Sequence, residues 1–94
     1  MNKKLLKESI QRKEKSLLFF NVSWCGVCKD VNPIVEQIRE SKQGYKFYNM
    51  NIEDRNTEEI SEIFDIDYIP TLVVISETGY KTYEGKHQIK KLLS

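Results

Sequence analysis

Residues 17–22 read Leu-Leu-Phe-Phe-Asn-Val, an almost unbroken apolar run in a chain that is otherwise heavily charged. A strand of this kind has to be covered on both faces, so it belongs at the centre of a sheet with helices above and below it. The segments on either side supply those layers. Residues 3–15 place Leu5, Leu6 and Ile10 among charges and predict a short amphipathic helix with one modest apolar stripe. After Trp24, Cys28, Val31, Ile34, Val35 and Ile38 recur at helical spacing until Gly44, which predicts a helix over residues 25–41. Pro33 lies inside it and is expected to kink it, because proline lacks the N–H and its ring crowds the preceding turn.

Residues 45–52 are rich in aromatic side chains and read as a second strand, and Asn56 with Glu59 offers a capping box for a third helix whose stripe is Ile60, Ile63 and Phe64. The runs 71–76 and 80–84 flank Glu77-Thr78-Gly79, the pattern of an antiparallel hairpin. Ile89, Leu92 and Leu93 predict a last short helix. The order is α-β-α-β-α-β-β-α, which calls for an α/β three-layer sandwich with a central mixed sheet of about four strands. At 94 residues the chain has material for one hydrophobic core, so residues 1–94 are expected to form a single domain.

Charge excludes some functions. The formal net charge is +1, which provides no broad attraction for a nucleic acid or an anionic membrane. No apolar run is long enough to span a bilayer, and charges interrupt every apolar pair near Met1, so a cytoplasmic location is the expectation. Two cysteines cannot build a disulfide framework for a secreted domain. Their close spacing points to chemistry instead.

Trp24-Cys25-Gly26-Val27-Cys28-Lys29 follows the apolar strand and opens the second helix. Unpaired N–H groups and the dipole at a helix start favour negative charge, so Cys25 is the expected nucleophilic thiolate. Cys28, one turn further in, is the expected resolving thiol, close enough to attack a mixed disulfide on Cys25. Gly26 leaves space beside the sulfur, and Trp24 offers a flat apolar surface or is simply a core residue. Half of a zinc site is the competing reading, but tetrahedral zinc takes four ligands and the one histidine, His87, is far along the chain. An iron–sulfur cluster shared between two chains would satisfy the ligand count, yet no further motif asks for one. No metal or cofactor is expected. Lys29 reads as a solvated charge that modestly favours the thiolate, and His87 as the exposed start of the last helix without a chemical role.

With Trp-Cys-Gly-x-Cys-Lys at residues 24–29, a helix proline at Pro33, and Ile69-Pro70-Thr71, the chain resembles the thioredoxin family over residues 3–93. The resemblance implies that the Ile69-Pro70 bond is cis and packs against the active-site cysteines. It also implies that Ile69's backbone pairs with an extended substrate, and that Gly79 and Gly85 are the hairpin glycine and the glycine that keeps the substrate surface flat. Trp24, Gly26, Val27, Ile69, Pro70 and Gly85 are then the expected substrate-binding residues. The family's first strand has no room here, hence four strands. Phe19 stands where the family commonly has a buried aspartate, and Asn49 where it has that acid's lysine partner. Losing both members of a buried pair leaves no charge stranded, but Cys28 must then lose its proton to water or to the departing thiol, so slower exchange is expected. Val27 replaces the proline of thioredoxin itself, and a shift of ~30 mV at this position is about 1.4 kcal/mol for a two-electron couple.

The resemblance thus implies a protein-disulfide reductase acting as a monomer. Its electrons would come from a thioredoxin-reductase-type flavoprotein, since the chain has no nucleotide-binding glycine pattern. Two alternatives stay open: a partner-binding module on the same surface with little redox turnover, and an oxidant or isomerase of the same fold.

Overall fold

A computed structural model describes residues 1–93. The elements are α1 (Lys3–Gln11), β1 (Ser16–Asn21), α2 (Gly26–Ser41), β2 (Lys46–Asn51), α3 (Arg55–Ile63), β3 (Thr71–Ser76), β4 (Gly79–Glu84) and α4 (Gly85–Lys90), followed by a single 3-10 turn, Lys91–Leu93. The order is the expected one. The four strands form one mixed sheet in the order β2-β1-β3-β4, with β1 parallel to β2 and the other pairs antiparallel.

The apolar run is buried on both sides, as its composition requires. Leu18 and Phe20 join Val73, Ile75 and Met50 beneath Leu6 of α1 and Ile60 of α3. Leu17 and Phe19 turn the other way and pack with Leu72 against Val31, Val35 and Ile38 of α2 and Ile89 of α4. Alternation along a single strand therefore feeds two cores, each side chain contributing about 1.5–3 kcal/mol on full burial.

Several helix details differ from the sequence-based expectations. α1 ends at Gln11, four residues early, because Lys13 takes a left-handed conformation (φ 57°) and closes the helix. The N–H of Glu14 reaches the carbonyl of Ser9, and that of Lys13 the carbonyl of Ile10. The same closure ends α3, where Asp65 (φ 55°) lets Ile66 donate to Ser61 and Asp65 to Glu62. Neither stop carries the glycine that usually marks one. In α1 the buried face is Leu6 and Ser9, so Leu5 and Ile10 lie exposed at its margins. In α3 the cap is Asp54, whose side chain accepts from the N–H of Asn56 at 2.8 Å, so the expected box at Asn56 sits inside the helix. Ile63 and Leu93 are exposed, while Ile60, Phe64 and Ile89 are buried. Pro33 lies inside α2, where the sequence placed it.

Candidate functional site

The register brings the candidate residues to one end of the sheet. At the close of β1, the N–H of Cys25 bonds to the carbonyl of Val22, which forms the turn into α2. On the neighbouring strands, Ile52 follows β2 and donates to Asn21, Ile69-Pro70 immediately precedes β3, and Gly85 follows β4 and donates to Pro70 at 2.8 Å. Parallel β1 and β2 end here, antiparallel β3 begins here, and β4 returns here. Residues far apart in sequence meet because of that topology.

Cys25 is the N-cap of α2, so the helix begins one residue later than its motif suggests. Its Sγ is bonded to Cys28 and accepts the backbone N–H of Cys28 at 3.1 Å. That N–H is one of the unpaired donors of the first turn, and aimed at sulfur it stabilises negative charge there. The two sulfurs differ in access. Cys28 is 2% exposed, whereas Cys25 is only partly buried. Trp24 and Val27 flank the pair with 70% and 51% exposure, so Trp24 is not a core residue. A Cβ on Gly26 would meet nothing within 4 Å, so no packing demand of the fold requires this glycine.

The Ile69-Pro70 peptide bond is cis, Pro70 is buried, and the Thr71 hydroxyl donates to the carbonyl of Tyr68 at 2.6 Å. Gly85 has φ 79°, and a Cβ there would lie 3.4 Å from a ring carbon of Tyr68. A side chain at Gly85 is thus disfavoured by the backbone conformation, and it would stand in contact with that ring. Phe19 and Asn49 are cross-strand neighbours, Phe19 in the α2-side core and Asn49 accepting a hydrogen bond from the Asn21 amide. Lys29 and His87 are exposed, and His87 is the third residue of α4 rather than its start. Among the described residues no group of His, Cys, Asp and Glu side chains is arranged to hold a metal ion.

The sequence-based reading missed Tyr68. Its neighbours Asp67 and Ile66 on the chain, and Ile52 and Ser61 from other elements, line a cavity with it and with Ile69. An aromatic residue directly before Ile69-Pro70 was the available signal.

The family model for thioredoxin matches residues 1–94. The chain belongs to the thioredoxin family. It is 30% identical to a thioredoxin of Mycoplasmoides gallisepticum, an alignment covering 98% of this chain and 94% of that protein. A thioredoxin of Rickettsia conorii is 35% identical, with 99% of this chain and 89% of the relative covered. Among solved structures, oxidised thioredoxin O2 of Arabidopsis thaliana superposes with a TM-score of 0.78 at 15% identity, covering 98% of this chain and 86% of that one. Thioredoxin of Trypanosoma brucei brucei gives 0.78 at 18% identity, covering 98% and 82%. These structural likenesses establish the fold, and the sequence matches establish the family. A member of this family with its cysteine pair closed across the first turn of α2 is a thiol–disulfide oxidoreductase, and protein disulfides are the substrates its family implies. No described helix is long and apolar enough to cross a membrane.

Proposed function

We propose that this protein reduces protein disulfides with Cys25 as nucleophile and Cys28 as resolving thiol. The observation that carries the assignment is the asymmetry of the pair: the accessible sulfur caps the helix and accepts an N–H, while its partner is buried one turn below. The Cys25 thiolate attacks one sulfur of the substrate disulfide, forming a mixed disulfide and releasing the other substrate sulfur as a thiolate that takes up a proton. Cys28 gives up its proton and attacks Cys25 Sγ. The second substrate thiolate leaves, the Cys25–Cys28 bond forms, and two electrons have passed to the substrate.

Trp24, Gly26, Val27, Ile69, Pro70 and Gly85 make up the surface on which the substrate segment rests. Ile69 has no protein partner for its N–H or C=O among the described residues, which supports strand-like pairing with that segment. Under this reading residues 1–94 act as one domain and as a monomer in the cytoplasm. A thioredoxin-reductase-type flavoprotein returns the two electrons. With Phe19 in place of an acid, Cys28 hands its proton to water or to the leaving thiolate, which slows the second step.

Turnover of a protein disulfide with a reductant is the test. Cys25→Ser is expected to abolish it and Cys28→Ser to trap substrates as reducible mixed disulfides. Activity that survives Cys25→Ser would refute the assignment. A partner-binding module, the reading favoured by the missing buried acid, would instead retain its partner from Cys28→Ser whether or not reductant is present. The reduction potential of the pair, measured against glutathione, separates a reductant from an oxidant.

A further inference from the structure

We propose that the cavity beside Ile69 is a subsite for a lysine or arginine side chain flanking the substrate disulfide, so that this protein prefers disulfides in basic polypeptide segments. The inference rests on the oxidoreductase reading for its substrate and adds a selectivity to it.

The cavity measures about 280 Å³ and is lined by Ile52, Ser61, Ile66, Asp67, Tyr68 and Ile69. Drug-sized ligands occupy sites of about 300–1,000 Å³, so this one suits a single long side chain. Its walls are fixed. Ile52, Ile66 and Ile69 all pack, partly buried, against the core beneath α1 and α3, and they present apolar surface to an alkyl stem. Ser61 offers no free proton, because its hydroxyl donates to the carbonyl of Glu58 at 2.7 Å.

Two of the lining groups, both exposed, favour a cation. Asp67 is exposed and has no hydrogen bond or ion pair among the described residues, so its carboxylate is available to an arriving charge. Tyr68 is 56% exposed, and its backbone is held by the Thr71 hydroxyl, so its ring gives a second, weaker attraction for an ammonium or guanidinium group. An apolar stem with a cationic end fits both halves of the cavity. A carboxylate would be repelled, and a purely apolar side chain would leave Asp67 unused.

Position ties the cavity to the reaction. Ile52 and Ile69 stand at the sheet end that carries Cys25, and Ile69 is also the residue whose free backbone groups face the substrate. Side chains of an extended segment paired there alternate in direction, so a residue flanking the attacked cysteine turns toward the α3 side and the cavity. The surrounding field has the same preference. Residues 53–67 carry seven acidic side chains and one basic, Arg55, in a chain whose net charge is +1. Such a local excess draws basic segments toward this side and weakens with added salt.

The test uses disulfide peptides that differ at one position beside the cysteine: lysine, its neutral isostere norleucine, or glutamate. Each reduction rate is divided by the same protein's rate on hydroxyethyl disulfide. Serine analogues of the peptides are titrated separately against the oxidised protein, with fluorescence of the single tryptophan, Trp24, as the signal. Lysine is expected to be preferred over norleucine by about two- to fivefold, the range of a solvent-accessible ion pair, and over glutamate by more. The preference should disappear in Asp67→Asn, reverse in Asp67→Lys, and fade at about 1 M salt, where the Debye length is about 3 Å. Equal rates and affinities for the three peptides, or a lysine preference that survives Asp67→Lys, overturn the subsite. If no disulfide is reduced, hydroxyethyl disulfide included, yet the serine analogues still rank by charge, the subsite stands and the oxidoreductase reading falls.

Discussion

The two ends of the sheet are built on opposite plans. Where β1 hands over to α2, the site rests on a cis bond at Ile69-Pro70, a left-handed Gly85 and an N-cap sulfur, with Trp24, Val27 and Tyr68 exposed around them. At the far end, where β1 and β2 begin, side chains tie the elements together. The Ser9 hydroxyl donates to Glu14 at 2.6 Å, Lys46 of β2 reaches the same carboxylate at 3.3 Å, and Arg12 lies 3.6 Å from its other oxygen. One end keeps large side chains exposed, and the other joins α1 to the sheet. Stability and reactivity should therefore separate by location.

The largest expected effect lies at the open end. Trp24→Ala should lower kcat/KM on protein disulfides about tenfold, about 1.4 kcal/mol of docking energy, through loss of an aromatic anchor. Because the side chain is largely exposed, the midpoint of urea unfolding should move by no more than about 0.5 kcal/mol in stability. A comparable loss of stability would break the contrast between the ends.

At the tied end the reverse pattern is expected. Lys13 holds a left-handed conformation that costs a non-glycine residue about 1–2 kcal/mol, so Lys13→Gly should raise stability by about 0.5–1 kcal/mol after the glycine's greater unfolded freedom is counted. Chemical denaturation measures the gain, and kcat/KM should stay unchanged. Asp65→Gly should give less, since aspartate tolerates this conformation better than lysine.

The smallest effect concerns pH. The Ser9 hydroxyl bond first, then Lys46 and Arg12, hold the Glu14 carboxyl below its ordinary value of 4.5, against an opposing contribution from burial. A lowered folded value means the charged carboxylate stabilises the fold above the unfolded value and stops doing so as pH falls through the lowered one. Glu14→Gln should thus melt below the wild type at neutral pH, and the gap should close on acidification. Parallel melting curves across the acidic range would show that the tie contributes nothing.

Much of the architecture was legible because the relevant patterns are local. The apolar run of β1, the helical spacing behind Cys28 and the hairpin around Gly79 each report burial within one element, and each element formed where its pattern lay. Boundaries were less legible. Lys13 and Asp65 end their helices in a conformation usually given to glycine, so nothing in composition marks the stops. The stripe of α1 also differs: the face that meets the sheet is Leu6 and Ser9, and Ser9 is tolerated there because Glu14 accepts its hydrogen bond.

The sequence by itself determined the placement of the cysteine pair, since spacing along one strand and one helix settles which sulfur caps and which is buried. Only the tertiary structure decided what else gathers at that end of the sheet. The cavity at Ile69 draws Ile52 from β2's end, Ser61 from α3 and Asp67 and Tyr68 from the loop before β3. Their meeting depends on strand order and crossover, and no local periodicity encodes how distant segments converge in space.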